Sequence, residues 1–275
     1  MSDIIRAACI QLNSGPDIVP NLERAEPYIR DAAGKGAQLI ALPENVSMMV
    51  KGRENILARA KPENEHPAIP FFKRMAKESK AWIVGGTLAI VIGPQKLVNR
   101  SYLYNPQGEI AAFYDKIHMF DADVSANEKY RESDNFHSGT KAVLASTSWG
   151  KIGLTICYDV RFAYLYRALA KAGAFLITVP SAFTVPTGRM HWEILLRARA
   201  IETGCFILAP AQCGLHDGGR HTYGHSLIID PLGKILAEGD AEEPGVIMAD
   251  LDLAKVGEAR RMLPSLQHDR KFEGP

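Results

Sequence analysis

The sequence predicts an α/β fold, and three observations carry that expectation. Apolar, β-branched runs of strand length alternate with stretches of helical spacing along the whole of the 275 residues. No Ser/Gly tract, low-complexity block or long charge run breaks the alternation, so one domain over 1–275 is expected. Several short apolar runs stop at a polar or charged residue, and ligand sites of α/β folds form beyond strand ends.

The elements follow in order. Residues 4–12 form an apolar strand. Residues 20–35 have helical spacing and are stopped by Gly34 and Gly36. Residues 38–42 form a second strand, ending at Pro43. A helix over 68–80 leads into a β-branched strand over 81–92. Residues 98–104 and 109–114 pair as a hairpin around Asn105, Pro106, Gln107 and Gly108. Periodicity then fails from 115 to 140. A loop of that length in a compact domain is usually functional or disordered, and this one carries charges, aromatics and His118. Strands resume at 141–148 and 151–156, followed by a helix over 164–172 and a strand over 175–179. A helix over 191–202 precedes strands at 205–209, 226–229, 234–237 and 246–251.

Composition excludes several classes. At 47% hydrophobic and 23% charged residues, the chain has a soluble globular composition. A net charge of +1 without a basic stripe gives no support for nucleic-acid binding. No apolar run approaches the ~20 residues of a membrane span, so no membrane partner is expected. The start, MSDIIRAACIQL, lacks the charge and cleavage pattern of a signal peptide, which predicts a cytoplasmic protein. Cys9, Cys157, Cys205 and Cys213 form no CxxC pair, so disulfides are not expected.

Three strand ends carry chemistry. In TICYDVRF, Cys157 stands where an apolar run breaks toward a helix, and N–H groups of a helix start there would lower the thiol pKa and hold an oxyanion. In LPEN, Glu44 follows a buried strand; in YDKIHMF, Lys116 follows another; in YRESDNF, Glu132 lies in the long loop. Taken singly, each has an ordinary structural reading. Together they suit amide cleavage, which needs a nucleophile, a proton for the leaving amine and a stabiliser for the oxyanion. No metal or other cofactor is required.

LPEN, YDKIHMFD and CYDVRF, in that order, resemble the nitrilase superfamily of carbon–nitrogen hydrolases, and the resemblance runs from Arg6 to about His268. Further stretches over 183–203, 211–214 and 223–233 are similar to its Nit branch. Among Nit proteins, AQCG and HTYGHS look most like the amidases of deaminated glutathione, rather than the ω-amidases of 2-oxoglutaramate and 2-oxosuccinamate.

The resemblance implies an α-β-β-α sandwich, a homodimer or larger homo-oligomer joined through helices, and a small carboxylate-bearing linear amide as substrate. It implies Glu44 as general base, Lys116 as oxyanion stabiliser, Cys157 as nucleophile and Glu132 as the residue positioning lysine and substrate. It also implies the N–H of Tyr158 in the oxyanion site, with Arg161 and Thr187 at the substrate's carboxylate end. An arginine fork suits a carboxylate. The chain departs from its relatives at Leu232, where many have Trp, and at Arg189, where many have Pro or a small residue.

Other readings compete. Cys213, His216, His221 and His225 have gaps like those of zinc ligands. His191-Trp192-Glu193 echoes zinc deaminases but lacks their Pro-Cys-x-x-Cys partner, and reads instead as a helix start near the site. A fold-retaining protein without chemistry is the non-enzymatic alternative. A nitrilase or aliphatic amidase is the enzymatic one.

Overall fold

The computed structural model describes residues 4–125 and 128–274. The strands are β1 (Ile4–Gln11), β2 (Leu39–Ala41), β3 (Trp82–Gly93), β4 (Lys96–Tyr104), β5 (Ile110–Asp115), β6 (Asp121–Ser125), β7 (Glu128–Arg131) and β8 (Val143–Thr147). They continue as β9 (Gly150–Leu154), β10 (Ala174–Thr178), β11 (Phe206–Ala209), β12 (Cys213–Leu215), β13 (His221–Tyr223), β14 (Leu227–Ile229), β15 (Ile235–Glu238) and β16 (Gly245–Asp252). The helices are α1 (Ile18–Gly34), α2 (Arg53–Arg59), α3 (Ala68–Ser79), α4 (Ala163–Lys171), α5 (Val185–Thr203) and α6 (Ala254–Met262).

Two six-stranded sheets form the centre. Their orders are β16-β1-β2-β3-β4-β5 and β15-β14-β11-β10-β9-β8. The period-two pattern of β1 shows how they are layered. Ile5, Ala7 and Cys9 point into a cluster shared with Ile152, Leu154 and Ile177 of the other sheet. Ala8 and Ile10 point the opposite way, onto Leu22, Ala25 and Ile29 of α1 and Phe72 and Met75 of α3. On the far side of the second sheet, Leu165 and Leu169 of α4 and Trp192, Leu196 and Ala200 of α5 complete the first cluster. The layering is therefore α-β-β-α, with each apolar face covered by its neighbour.

Four features depart from the sequence reading. The 115–140 stretch contains a hairpin, β6–β7, in which exposed and half-buried residues alternate. Its inner side carries only Ala122, Val124 and Tyr130 as apolar residues, each half-buried, so the apolar period is too short and weak to mark it. Helix α2 buries only Ile56, and α6 buries only Val256 and Ala259, so neither announces itself by hydrophobic spacing. Helix α5 begins at Val185 rather than His191: Thr184 caps it, its side chain accepting from the Thr187 N–H, and a proline stands in its first turn. His191-Trp192-Glu193 thus lies well inside that helix. The fourth departure is at Cys157. The strand breaks into a 3-10 turn, Cys157–Arg161, and the α-helix starts only at Ala163.

Candidate active site

Glu44, Lys116 and Cys157 each lie one to three residues past a strand: β2, β5 and β9. Because β2 and β5 belong to one sheet and β9 to the other, the three converge where the sandwich opens at one end.

Each position is fixed by backbone contacts. The turn carrying Glu44 packs on β3 at Gly86, which has φ 62°; a Cβ there would come within 2.1 Å of the Pro43 carbonyl oxygen. Asn45 N–H donates to Thr87 Oγ1 (2.9 Å), and Gln212 Nε2 donates to the Glu44 carbonyl (2.9 Å). Lys116 N–H donates to Asn99 O (3.0 Å), while its own carbonyl accepts from Gly139 N–H (2.7 Å). Gly139 allows this approach, since a Cβ would meet Asp115 O at 2.1 Å. Cys157 takes φ 45°, a left-handed conformation costly for a residue with a Cβ, and its N–H donates to Pro180 O (2.9 Å). The turn is thus over-determined by its surroundings, as an outlier at a functional centre is.

The side chains meet. Lys116 Nζ donates to Glu44 Oε1 (2.9 Å) and to both oxygens of Glu132 (3.0 and 2.8 Å). Asn99 Nδ2 bridges the same two carboxylates, at 3.0 Å to Glu44 and 3.3 Å to Glu132. Phe120 N–H also donates to Glu132, at 2.6 Å. The Cys157 side chain and the Glu44 carboxylate face the same cavity, close enough for the carboxylate charge to act on the thiol. Glu44 and Lys116 are almost fully buried, at 3% and 1% exposed.

Burial alone would raise the Glu44 carboxyl. The charge and hydrogen bond of Lys116 overcome it, and Glu44 lies below the ordinary glutamate value. Burial would likewise lower Lys116, but Glu132 and Glu44 hold it charged, above the ordinary lysine value. Cys157 goes the other way. Burial, then the Glu44 charge, push its thiol well above the ordinary value, and Lys116 offsets only part of this. The expectation of a depressed thiol pKa is therefore corrected: burial of the thiol, and then the adjacent carboxylate, favour the protonated form.

The cavity beside these groups has a volume of about 280 Å³. Glu44, Lys116, Glu132, Cys157, Tyr158, Arg161 and Thr187 all line it, so the seven residues expected to act on an amide face one space. Arg161 lies 5.6 Å from the ring centres of both Tyr158 and Phe183 and 3.3 Å from His191 Nδ1. Thr187 Oγ1 pairs with Thr184 Oγ1 at 2.8 Å.

Two residues of the site escaped the sequence reading. Asn99 was hidden inside an apolar strand; its one signal is a buried amide among Leu97, Val98 and Ser101. Asp159, fully buried, accepts from Ile156 N–H (2.9 Å), Tyr114 Oη (2.7 Å) and His118 N–H (3.1 Å), and its Oδ1 is 2.6 Å from His118 Nδ1. It ties the Cys157 turn to the segment carrying Lys116. The signal available was a carboxylate two residues past the cysteine, able to cap its own turn.

The residues of the zinc-like stretch are engaged elsewhere. His216 bridges Ser14 O (2.9 Å) and Thr222 Oγ1 (2.7 Å), His221 pairs with Glu242 (2.9 Å) and His225 with Glu238 (2.9 Å). Cys213 is buried in β12, its Sγ 3.5 Å from Leu12 O. Among the described residues, no three His, Cys, Asp or Glu side chains are grouped to hold a metal.

The carbon–nitrogen hydrolase family model matches residues 6–261. This chain belongs to that family. It is 40% identical over 266 residues to a deaminated glutathione amidase of Synechocystis, covering 95% of this chain and 97% of that protein. It is 38% identical to the human enzyme of that name, covering 96% of this chain and 81% of that one. Among solved structures it resembles Nit3 of Saccharomyces cerevisiae, a member of branch 10 of the nitrilase superfamily, with TM-score 0.88 and 31% identity over 99% and 98% of the two chains. It also resembles an amidase from Nesterenkonia, with TM-score 0.79 and 28% identity over 94% and 98%, whose structure carries an acrylamide adduct at the active-site cysteine. The chain is thus a hydrolase of carbon–nitrogen bonds outside peptides.

Proposed function

We propose that this protein hydrolyses small linear amides bearing a carboxylate, with deaminated glutathione as the leading substrate, through a thioester on Cys157. The observation that carries the mechanism is one carboxylate set between two partners: Glu44 accepts from the Lys116 ammonium and lines the same cavity as the Cys157 thiol.

The proposed sequence is balanced in protons. Cys157 sulfur attacks the amide carbonyl carbon as its proton passes to Glu44. The oxyanion is held by Lys116 and the Tyr158 N–H. The C–N bond breaks as Glu44 returns the proton to the leaving amine, and a thioester remains. Water then attacks the thioester carbonyl and gives its proton to Glu44. The C–S bond breaks, the thiol regains its proton and a carboxylic acid departs. A thiol held protonated at rest suits this scheme, since the ionised Glu44 stands ready as the base and the thiolate forms only in the attack. Glu132 orients Lys116 and offsets its charge. Arg161 and Thr187 take the acyl-side carboxylate.

The finer assembly and location belong to the same proposal. Helix α5 exposes Met190, Ile194 and Ile201 along one stripe, with Tyr164 of α4 and Leu232 also exposed. A second copy packed on these helices would bury that stripe, giving a homodimer. The four cysteines are free thiols, which suits the reducing cytoplasm.

A substrate panel tests the proposal. Product release is measured from deaminated glutathione, 2-oxoglutaramate, a simple aliphatic amide and a nitrile, with wild type and Cys157→Ala. Deaminated glutathione is expected to lead, releasing its cysteinylglycine amine, and the variant to fall to background. A ranking led by the nitrile, or undiminished turnover by Cys157→Ala, would contradict it.

A further inference from the structure

The hairpin β12–β13, whose HDGGR turn attracted a zinc reading, delivers a residue into the cavity. Gly218 and Gly219 take φ values of 81° and 78°, which turn the chain tightly, and His216 N–H closes the turn on Arg220 O at 2.8 Å. Arg220 then lines the active-site cavity. Its Nη2 donates to Ala182 O (2.6 Å) and its guanidinium lies 5.3 Å from the Tyr130 ring centre. Its remaining neighbours are poor: Nη1 reaches only the Met49 thioether, at 3.8 Å, and the buried Nε has no acceptor among the described residues. A guanidinium carries five N–H donors, so most of the Arg220 fork is unspent.

Few arginines among the described residues are so weakly partnered: Arg24, Arg53 and Arg260 lack a carboxylate but each gives two or more hydrogen bonds to amide or backbone oxygens. Arg6, Arg30, Arg74, Arg100, Arg131, Arg167, Arg197 and Arg199 all pair with carboxylates of the chain. Arg161, the other guanidinium on the cavity wall, also has no carboxylate partner among the described residues and is likewise held by aromatic faces. The cavity lining holds six cationic side chains against three acidic ones. Two of those acids, Glu44 and Glu132, are already committed to Lys116.

We propose that Arg220 is a specificity residue that binds a second substrate carboxylate, on the leaving-amine side of the scissile bond, so that the site selects amides with a carboxylate on each side. The inference rests on the amidase reading and on Arg161 holding the acyl-side carboxylate. An end-on guanidinium–carboxylate pair through Nη1 and the second Nη2 N–H accounts for the unspent donors at the tip of the fork, with Ala182 O and the Tyr130 ring fixing its plane. Deaminated glutathione has such a second carboxylate, on its glycine; an unsubstituted 2-oxo-ω-amide has none.

The test compares deaminated glutathione with its C-terminal glycinamide, which differs only in that carboxylate. With the wild-type enzyme, kcat/KM is expected to favour the carboxylate by roughly 10- to 100-fold, mostly through KM. Arg220→Gln should collapse that preference to near unity, and Arg220→Lys should restore part of it. Because the ratio is taken within one variant, a loss of folded protein does not alter it. Binding of the same two compounds to Cys157→Ala, with and without Arg220→Gln, repeats the comparison without turnover. A preference that survives Arg220→Gln unchanged, or a wild type indifferent to the carboxylate, overturns the inference. Failure to cleave either compound would instead overturn the amidase reading.

Discussion

Two clusters of acids and bases are built with the same reach and serve different ends. On the outer helices, Arg30 contacts Glu26 and Glu78, each at 2.7 Å, and Arg74 contacts Glu26 at 2.8 Å. At the strand ends, Lys116 contacts Glu44 at 2.9 Å and Glu132 at 2.8 Å. The outer arginines are about half exposed, whereas the Lys116 side chain is 2% exposed. In the outer cluster, hydrogen bonds from Arg74 and then Arg30 hold Glu26 at about 2, while water and salt remain free to replace either partner. In the inner cluster no such replacement exists. Removing one member strands the others in a medium that solvates them poorly. Distance alone therefore says little about what an ion pair does; burial decides it.

The largest expected effect comes from breaking the inner cluster at its centre. Lys116→Met removes the cation between the buried Glu44 and the half-buried Glu132. Urea unfolding is expected to show a loss of about 3–5 kcal/mol, and kcat/KM to fall on the order of a thousandfold. Glu44→Gln, which keeps the shape, should cost comparable activity and far less stability; equal stability losses would mean that packing, not charge, governs the cluster.

The pH profile gives an intermediate effect. Glu44 titrates below its unfolded value, so its stabilising contribution is complete above the unfolded pKa of about 4.3 and is lost as pH falls through the folded pKa. Activity should decline only on the acid side of the ordinary carboxylate range. Since the Cys157 thiol is raised, no increase in kcat/KM is expected near pH 8.5, where an ordinary thiol ionises. A rise there would show that the free thiolate is the reacting form.

The smallest effect belongs to the outer cluster. Arg74→Ala should change stability by about 1 kcal/mol or less, with activity unaltered, and salt should erase most of that difference. A loss matching Lys116→Met would remove the distinction between the clusters.

The same contrast explains what could be read from the sequence. β1, β2, β3 and β10 declared themselves as apolar runs because they are buried in the sandwich, and the polar residues that end β2, β5 and β9 drew attention to Glu44, Lys116 and Cys157. α2 and β6–β7 did not, because they bury little: α2 buries only Ile56, and in β6 the half-buried Ala122 and Val124 alternate with polar residues over too short a run to stand out. Asn99 and Asp159 were missed because a buried polar side chain is explained by its partners, and those lie far along the chain: Glu44 is 55 residues from Asn99, and Tyr114 is 45 from Asp159. The direction of the Cys157 shift was misread for the same reason. The local turn suggested a lowered pKa; burial of the thiol, and then the charge of a carboxylate from another strand, raise it instead.

The central claim is that Cys157 carries the acyl group between two chemical steps. Rapid acid quenching during turnover of a 2-oxo amide, followed by peptide mass spectrometry, tests it directly. The expected result is an added acyl mass on the peptide bearing Cys157, labile to hydroxylamine and absent from Cys157→Ala. Turnover with no acyl mass on that peptide, continuing in Cys157→Ala, would contradict the account.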